Sequence, residues 1–135
     1  MIAAEFVHTL QYEDLPSEVL ATLRRSFLDT MGVAAVGSTT EMAQIARKTA
    51  PVIGHGTTRI LMSGAPVSPI AAAMAGAMTV DSVDAHDGTS PCKGHAGSAM
   101  FPALLALAEN YPMDGATFAT LLAIGYEVSY RAGLA

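Results

Sequence analysis

The chain has 135 residues, of which 51% are hydrophobic, 6% aromatic and 14% charged, and its mean hydropathy is +0.38. The charged fraction is well below the roughly 25% usual in soluble domains, which excludes intrinsic disorder, because disordered chains combine low hydrophobicity with high net charge. It also leaves few polar side chains to cover the surface of a small monomer. We therefore expect a large apolar face that is buried against another subunit or against further polypeptide.

The net charge of −5 and the scattered lysines and arginines exclude a nucleic-acid-binding surface, which needs clustered cations. A single cysteine, Cys92, excludes an internal disulfide and a multi-cysteine zinc site, and fits a reducing compartment. Met1–Leu10 lacks the basic start and apolar run of a signal peptide. Ile60–Val80 is uncharged, but its glycines, prolines and alanines indicate a buried helix rather than a membrane span. We predict a cytoplasmic protein with no nucleic-acid or membrane partner.

Helical periodicity dominates the first half of the chain. Ala3–Leu10 is predicted as a short helix. A long helix follows, with Asp14 near its N-cap, an apolar face at helical spacing, and an end near Gly37, where glycine takes the left-handed conformation. Glu41–Ala50 is predicted as a third helix that Pro51 stops.

The second half contains a turn, a short extended segment over Arg59–Met62, and three more helices. Ser68 and the following proline open a helix of small residues, which suits a central, buried position. Ser98–Asn110 is predicted as helical with a proline in its first turn, and Asp114 caps the last helix. The fold class that these patterns predict is all-α.

The segment from Asp81 to Gly97 concentrates the polar chemistry of the chain between two apolar helices. A polar, glycine-rich loop in this position is typical of a loop that presents reactive groups to a cleft. If the preceding helix continued, its three aspartates would stack along one side, and Lys93 would be the local cation that neutralises them. The reactive side chains of the segment are Asp81, Asp84, His86, Asp87, Thr89, Cys92, Lys93 and His95.

Four interpretations of this loop follow from its residues. Aspartate and histidine side chains acting as general base and acid are the plainest functional one. Cys92 with His95 would form a thiol–imidazole pair. Asp84, His86, Asp87 and His95 have donor atoms that suit a divalent metal, as in a metal-dependent hydrolase. The fourth interpretation assigns the loop no function and describes it as a solvated turn with aspartate caps.

Several segments in order resemble the MmgE/PrpD family, and the resemblance covers nearly the whole chain. It includes the aspartate–leucine–proline entry to the long helix, the serine–proline start of the alanine-rich helix, and His95. The segments that carry it are Asp14–Pro16, Leu28–Ser38, Ser68–Ala77, His95, Pro102–Glu109, Gly115, Gly125–Val128 and Arg131.

The resemblance implies a two-domain, usually dimeric enzyme with a large helical domain, a smaller α/β lid, and no metal or organic cofactor. Family members place an Asp-Asp-Thr motif, and a histidine about six residues later, in the active-site cleft. Thr89 and His95 keep that spacing here, and Asp84 or Asp87 fills the acid position. Gly88 replaces the second aspartate of the pair.

On this resemblance we interpret residues 1–135 as the N-terminal part of the helical domain, without the lid. The implied function is a cofactor-independent carbon–oxygen lyase that removes a proton from a small di- or tricarboxylate such as 2-methylcitrate and eliminates water; a decarboxylase or epimerase (isomerase) of the same family is the alternative. The catalytic residues would be Asp84, Asp87 and His95, and the substrate-binding residues His86, Thr89 and Lys93.

Such a substrate needs several cations, whereas Lys93 is the only lysine or arginine between Arg59 and Arg131. We therefore expect this chain alone to be inactive until a homodimer partner or a missing C-terminal part completes the cleft. Two alternatives stay open: a non-enzymatic helical fragment that serves association, and a metal-dependent hydrolase that uses the aspartate and histidine loop.

Overall fold

The structure is a computed structural model that describes residues 3–135; Met1 and Ile2, the start of the N-terminal stretch considered above, lie outside the described residues. Within these residues, six α-helices and one small β-hairpin make up the fold, which confirms the all-α prediction. The elements are α1 (Ala3–Thr9), a 3-10 turn (Tyr12–Asp14), α2 (Ser17–Gly37), α3 (Glu41–Ile53), β1 (Thr58–Arg59), β2 (Pro66–Val67), α4 (Pro69–Asp81), α5 (Ala96–Ala108) and α6 (Gly115–Leu134).

Helix α4 lies at the centre and packs against α2, α3 and α5. Its small residues allow these close approaches: Ala71, Ala72 and Ala75 are buried, and a Cβ at Gly76 would lie 2.8 Å from Pro102 Cβ on α5. Ser68 caps the helix by accepting a hydrogen bond from the Ala71 N–H at 3.3 Å. The predicted central helix of small residues is therefore present.

A second core joins α2, α5 and α6. Leu23, Phe101 and Leu122 are buried there, and the Phe27 ring packs on the Phe101 ring with centroids 5.4 Å apart. Asp114 caps α6 by accepting a hydrogen bond from the Thr117 N–H at 2.8 Å, as predicted. Within residues 3–135, no helix combines the length and hydropathy needed to cross a bilayer.

Two predicted helix signals act differently from expectation. Helix α2 ends at Gly37, but the following residue keeps a right-handed conformation. A glycine is required at position 37 for close packing against α4, because a Cβ there would lie 2.1 Å from the Thr79 carbonyl oxygen. Asp14 does not cap α2, whose N-cap is Pro16. The Asp14 carboxylate instead accepts a hydrogen bond from the Gln11 N–H at 3.0 Å and closes the 3-10 turn.

Two prolines also lie at helix positions other than those that the sequence patterns predict. Pro51 lies inside α3, which continues to Ile53; near a helix end, a missing N–H removes only one hydrogen bond. Pro102 lies in the middle of α5 rather than in its first turn, because that helix begins at Ala96. There Pro102 packs against the surface of α4 left open by Gly76.

The predicted extended segment Arg59–Met62 is shorter than expected. Only its first residue belongs to β1, in which Thr58 pairs antiparallel with Val67 of β2. Met62 and Gly64 have φ angles of 62° and 68° and turn the chain back on itself. A bidentate contact from Arg59 N–H and Nε to the carboxylate of Glu109, at 2.8 and 2.9 Å, fixes the hairpin to the end of α5.

Candidate active site

The loop of residues 82–95 connects the C-terminus of α4 to the N-terminus of α5. Since α4 ends at Asp81, the condition under which the aspartates at 81, 84 and 87 would stack along one helix face is not met. Asp84 has a φ angle of 47°, a left-handed conformation that aspartate and asparagine tolerate better than most residues. The loop therefore turns sharply directly after α4 and returns its second half towards the helix end.

His86 is the one buried imidazole of the loop, with a side chain that is 0% exposed. Its Nε2 atom lies 3.3 Å from a carboxylate oxygen of Asp81, at the exposed end of α4. Neither ring nitrogen has a partner with hydrogen-bond geometry within the described part of the chain. Buried polar groups normally are paired, so this imidazole is positioned for a partner that the described residues do not supply.

His95 lies against His86, with ring centroids 4.3 Å apart at an interplanar angle of 59°. Its Nδ1 is 2.7 Å from the backbone oxygen of Asp87. Because a carbonyl oxygen only accepts, Nδ1 carries a proton, and in the neutral form of the ring Nε2 therefore keeps its lone pair. Gly88 accommodates the ring, since a Cβ there would lie 3.0 Å from His95 Cε1.

One nitrogen or oxygen of each of Asp84, His86 and His95 lies within 4.8 Å of the others. Asp84 and His95 are exposed, whereas His86 is buried beneath them. We call these three residues the Asp84–His86–His95 cluster. It combines a carboxylate, a fixed imidazole and an imidazole with a defined tautomer, a set that can move protons or bind a cation.

Asp87 is held by α6 rather than by the cluster. Its Oδ2 accepts a hydrogen bond from the Tyr126 hydroxyl at 2.5 Å. Burial and, after it, the Asp87 carboxylate raise the pKa of Tyr126, so the phenol remains a donor at neutral pH. A Cβ at Gly97 would lie 2.3 Å from Asp87 Oδ1, so the first turn of α5 is shaped around this contact.

The remaining site residues of the prediction lie in the turn of residues 89–94. The Thr89 N–H donates to the Gly94 carbonyl at 3.1 Å and closes it. Burial raises the pKa of Tyr130, and a Cβ at Gly133 of α6 would lie 2.6 Å from Cys92 Cβ, so this turn contacts α6. Cys92 Sγ donates to the Thr89 carbonyl at 3.4 Å. Lys93 is exposed and takes part in no ion pair among residues 3–135, so the Asp81 carboxylate lies beside the His86 ring and not beside Lys93.

An open groove of about 800 Å³ adjoins the loop at Asp87 and Gly88. It runs between α1, the start of α2 and α6, and its other lining residues include Tyr126 and Tyr130. Four acidic residues and no lysine or arginine line it, namely Asp14, Glu18, Asp87 and Glu127. The part of the groove that this chain forms is therefore electrostatically unfavourable for a polycarboxylate.

Three features of the site had no local signal in the sequence. Tyr126 lies 39 residues from Asp87 and belongs to an apolar helix face, so its role depends on how α6 packs. In the sequence, nothing distinguishes Gly97 from an ordinary loop glycine. The pairing of Asp81 with His86 depends on the turn directly after α4.

Comparison with known proteins supplies a further finding. The family model of the MmgE/PrpD N-terminal domain matches residues 2–135. A human cis-aconitate decarboxylase is 29% identical over 135 residues, which covers 95% of this chain and 28% of that protein. A cis-aconitate decarboxylase of Aspergillus terreus is 28% identical over 143 residues, covering 99% of this chain and 29% of that protein. The chain thus spans less than a third of the length of these relatives, and no solved structure matches it.

Proposed function

Since the chain belongs to the MmgE/PrpD family, we propose that it forms the N-terminal helical part of a lyase that acts on a small tricarboxylate. The relatives described as cis-aconitate decarboxylases favour decarboxylation of such a substrate, with dehydration of a 2-methylcitrate-type substrate as the second candidate. The observation that carries the proposal is the Asp84–His86–His95 cluster. It is a compact set of proton-transferring groups in a chain that otherwise has few charges.

Both reactions need a group that moves a proton at a carbon next to a carboxylate. In decarboxylation, the carbon–carbon bond breaks, carbon dioxide leaves, and the electron pair is delocalised into the remaining unsaturated acid until a proton is delivered to carbon. In dehydration, a base removes the carbon proton and an acid protonates the departing hydroxyl. We assign the proton transfer to His95, whose Nε2 is free, with Asp84 as its carboxylate partner.

Asp87 has a positioning role in this proposal. Its backbone oxygen sets the His95 tautomer, while its side chain is bound to Tyr126. Tyr126 therefore takes up one oxygen of this carboxylate, and the other is buried, so Asp87 is less suited to act as base than the exposed carboxylate of Asp84. His86 supports the His95 ring from below.

Thr89 and Lys93 are proposed to bind a substrate carboxylate. The N-terminus of α5 begins at Ala96, next to His95, and the positive end of a helix dipole favours negative charge there. One lysine does not balance two or three carboxylates. The remaining cations would come from polypeptide beyond this chain or from a partner subunit, so the 135-residue chain by itself is expected to show no turnover.

The proposal is tested by assaying the protein at its full natural length with cis-aconitate and with 2-methylcitrate. We expect turnover of one of them, and a loss in kcat of about 10²-fold or more for both His95→Asn and Asp84→Asn, because each removes a proton-transferring group. Asparagine tolerates the backbone conformation at 84. His55→Asn is the matched control, since His55 is exposed in the turn before β1.

Turnover of neither substrate, or full activity in both variants, would contradict the proposed function. A clear rate from the 135-residue chain alone would contradict the expectation that further polypeptide completes the cleft. Release of carbon dioxide against formation of an unsaturated tricarboxylate distinguishes the two candidate reactions.

A further inference from the structure

We propose that the Asp84–His86–His95 cluster is a binding site for a divalent transition metal such as Zn²⁺. Two imidazoles and one carboxylate form a donor set that suits Zn²⁺ and related ions. The proposal does not depend on the reaction assigned above, because it concerns what the three side chains bind when no substrate is present.

The distances in the cluster are compatible with one ion. Bonds of about 2.1 Å from a tetrahedral ion to each ligand place neighbouring donor atoms about 3.4 Å apart. The donor atoms here lie within 4.8 Å before any ion has drawn them together. Asp84 and His95 are exposed, so side-chain rotation can close the remaining gap without moving the backbone.

His86 is the independent observation that points to a ligand. Its side chain is fully buried, and both ring nitrogens lack a hydrogen-bond partner among the described residues. Asp81 lies 3.3 Å from Nε2. A carboxylate that accepts a hydrogen bond from one imidazole nitrogen is a common outer partner of a metal-bound histidine, and Asp81 would take that role if its side chain rotated into hydrogen-bond geometry.

His95 has an outer partner at hydrogen-bond distance. The backbone oxygen of Asp87 holds the proton on Nδ1, which leaves the Nε2 lone pair as the donor. His95 thus has one nitrogen bound to an acceptor and one nitrogen available, whereas His86 has no hydrogen-bonded nitrogen among the described residues. Two histidines in ring contact, with a carboxylate within reach, match what a metal site requires of its ligands.

Metal binding would use the same lone pairs as the proposed proton transfer. An ion in the cluster therefore competes with catalysis instead of assisting it. The site is then available for catalysis only while the carboxylate substrate, and not the metal, occupies His95.

The test is titration of the metal-free 135-residue chain with Zn²⁺ by calorimetry and with Co²⁺ by visible absorption. We expect one ion per chain, an absorption band typical of Co²⁺ bound to nitrogen and oxygen, and affinities at least about tenfold weaker in Asp84→Asn and in His95→Asn. Both substituted residues are exposed, so the fold should be retained, and circular dichroism checks that it is. His55→Asn should bind like the unsubstituted chain.

Equal affinity in all four proteins, or no Co²⁺ absorption, would overturn the metal site. A rise in unfolding temperature with Zn²⁺ that persists in His95→Asn would overturn it as well. The readouts are independent of turnover, so failure here leaves the proposed lyase activity untouched, and inactivity of the full-length protein leaves the metal site to be judged on its own.

Discussion

At the scale of single residues, the loop of residues 82–95 is held by contacts that reach it from α4, α5 and α6. Tyr126 on α6 binds the Asp87 carboxylate at 2.5 Å, and Asp87 in turn fixes the His95 ring through its backbone oxygen. Through these two contacts, Tyr126 to Asp87 and Asp87 to His95, the packing of α6 sets the orientation of the His95 imidazole. Gly97 permits it, because any side chain at that position would enter the space of the Asp87 carboxylate.

Gly97→Ala should therefore lower the free energy of unfolding by about 1–3 kcal/mol, as expected when a methyl group is forced into a packed site. Gly32→Ala is the matched control, because an added Cβ there meets nothing within 4 Å. In the middle of a helix, that second change should raise stability by about 0.5–1 kcal/mol. Urea unfolding of both variants measures the difference. Similar effects of the two changes would mean that the Asp87–Tyr126 contact does not fill this space.

At the scale of elements, the central helix α4 begins at a well-defined cap and ends at Asp81, directly before the functional loop. The Ser68 hydroxyl oxygen accepts the Ala71 N–H at 3.3 Å. Since α4 contacts three other helices, its first turn influences how the whole core assembles. The helix also sets the position of Asp81, and through it the position of His86.

Ser68→Ala should reduce the free energy of unfolding by about 1 kcal/mol, the usual effect of losing a capping side chain. Ser17→Ala is the comparison, because Ser17 begins α2 after an N-cap that has no side-chain hydrogen bond, and an exposed change of this kind usually stays within about 0.5 kcal/mol. Thermal and urea unfolding provide the measurement. Equal losses would show that the Ser68 hydroxyl does not act as a cap.

At the scale of the whole molecule, several large apolar side chains lie together on the surface of the helices. On α4, Ile70, Met74 and Met78 recur every four residues and are 69%, 48% and 43% exposed. Helix α3 turns small alanines to the core and leaves Met42 and Ile45 outside. Exposed apolar surfaces of this kind usually become covered by another polypeptide. This pattern agrees with the low charge content and with a chain that spans less than a third of its relatives.

We expect the 135-residue chain to self-associate in a concentration-dependent manner through the stripe of Ile70, Met74 and Met78. Met74→Lys should shift the equilibrium towards monomer, because a charge in the middle of the stripe opposes its burial. Gln44→Lys adds the same charge at an exposed polar position of α3 and should leave association unchanged. Sedimentation velocity over a range of concentrations compares the two. Equal behaviour of both variants would place the contact elsewhere.

The sequence by itself determined most of the secondary structure, because helical periodicity and capping residues are local signals. Ser68 and Asp114 locate the starts of α4 and α6, and the apolar spacing of α2 locates that helix. The same patterns located the polar segment between α4 and α5 and named all three members of the Asp84–His86–His95 cluster. Their assignment as proton-transferring or metal-binding groups remains a prediction.

The tertiary structure decided what each of those residues contacts. Gly37 and Pro102 serve close helix packing rather than the local roles that their residue types suggest, and Tyr126 reaches Asp87 from 39 residues away. The physical reason is range: a cap or a periodicity acts over about four residues, the reach of one helical turn. The burial of His86, the tautomer of His95 and the occupation of Asp87 arise only when α4, α5 and α6 enclose the loop between them.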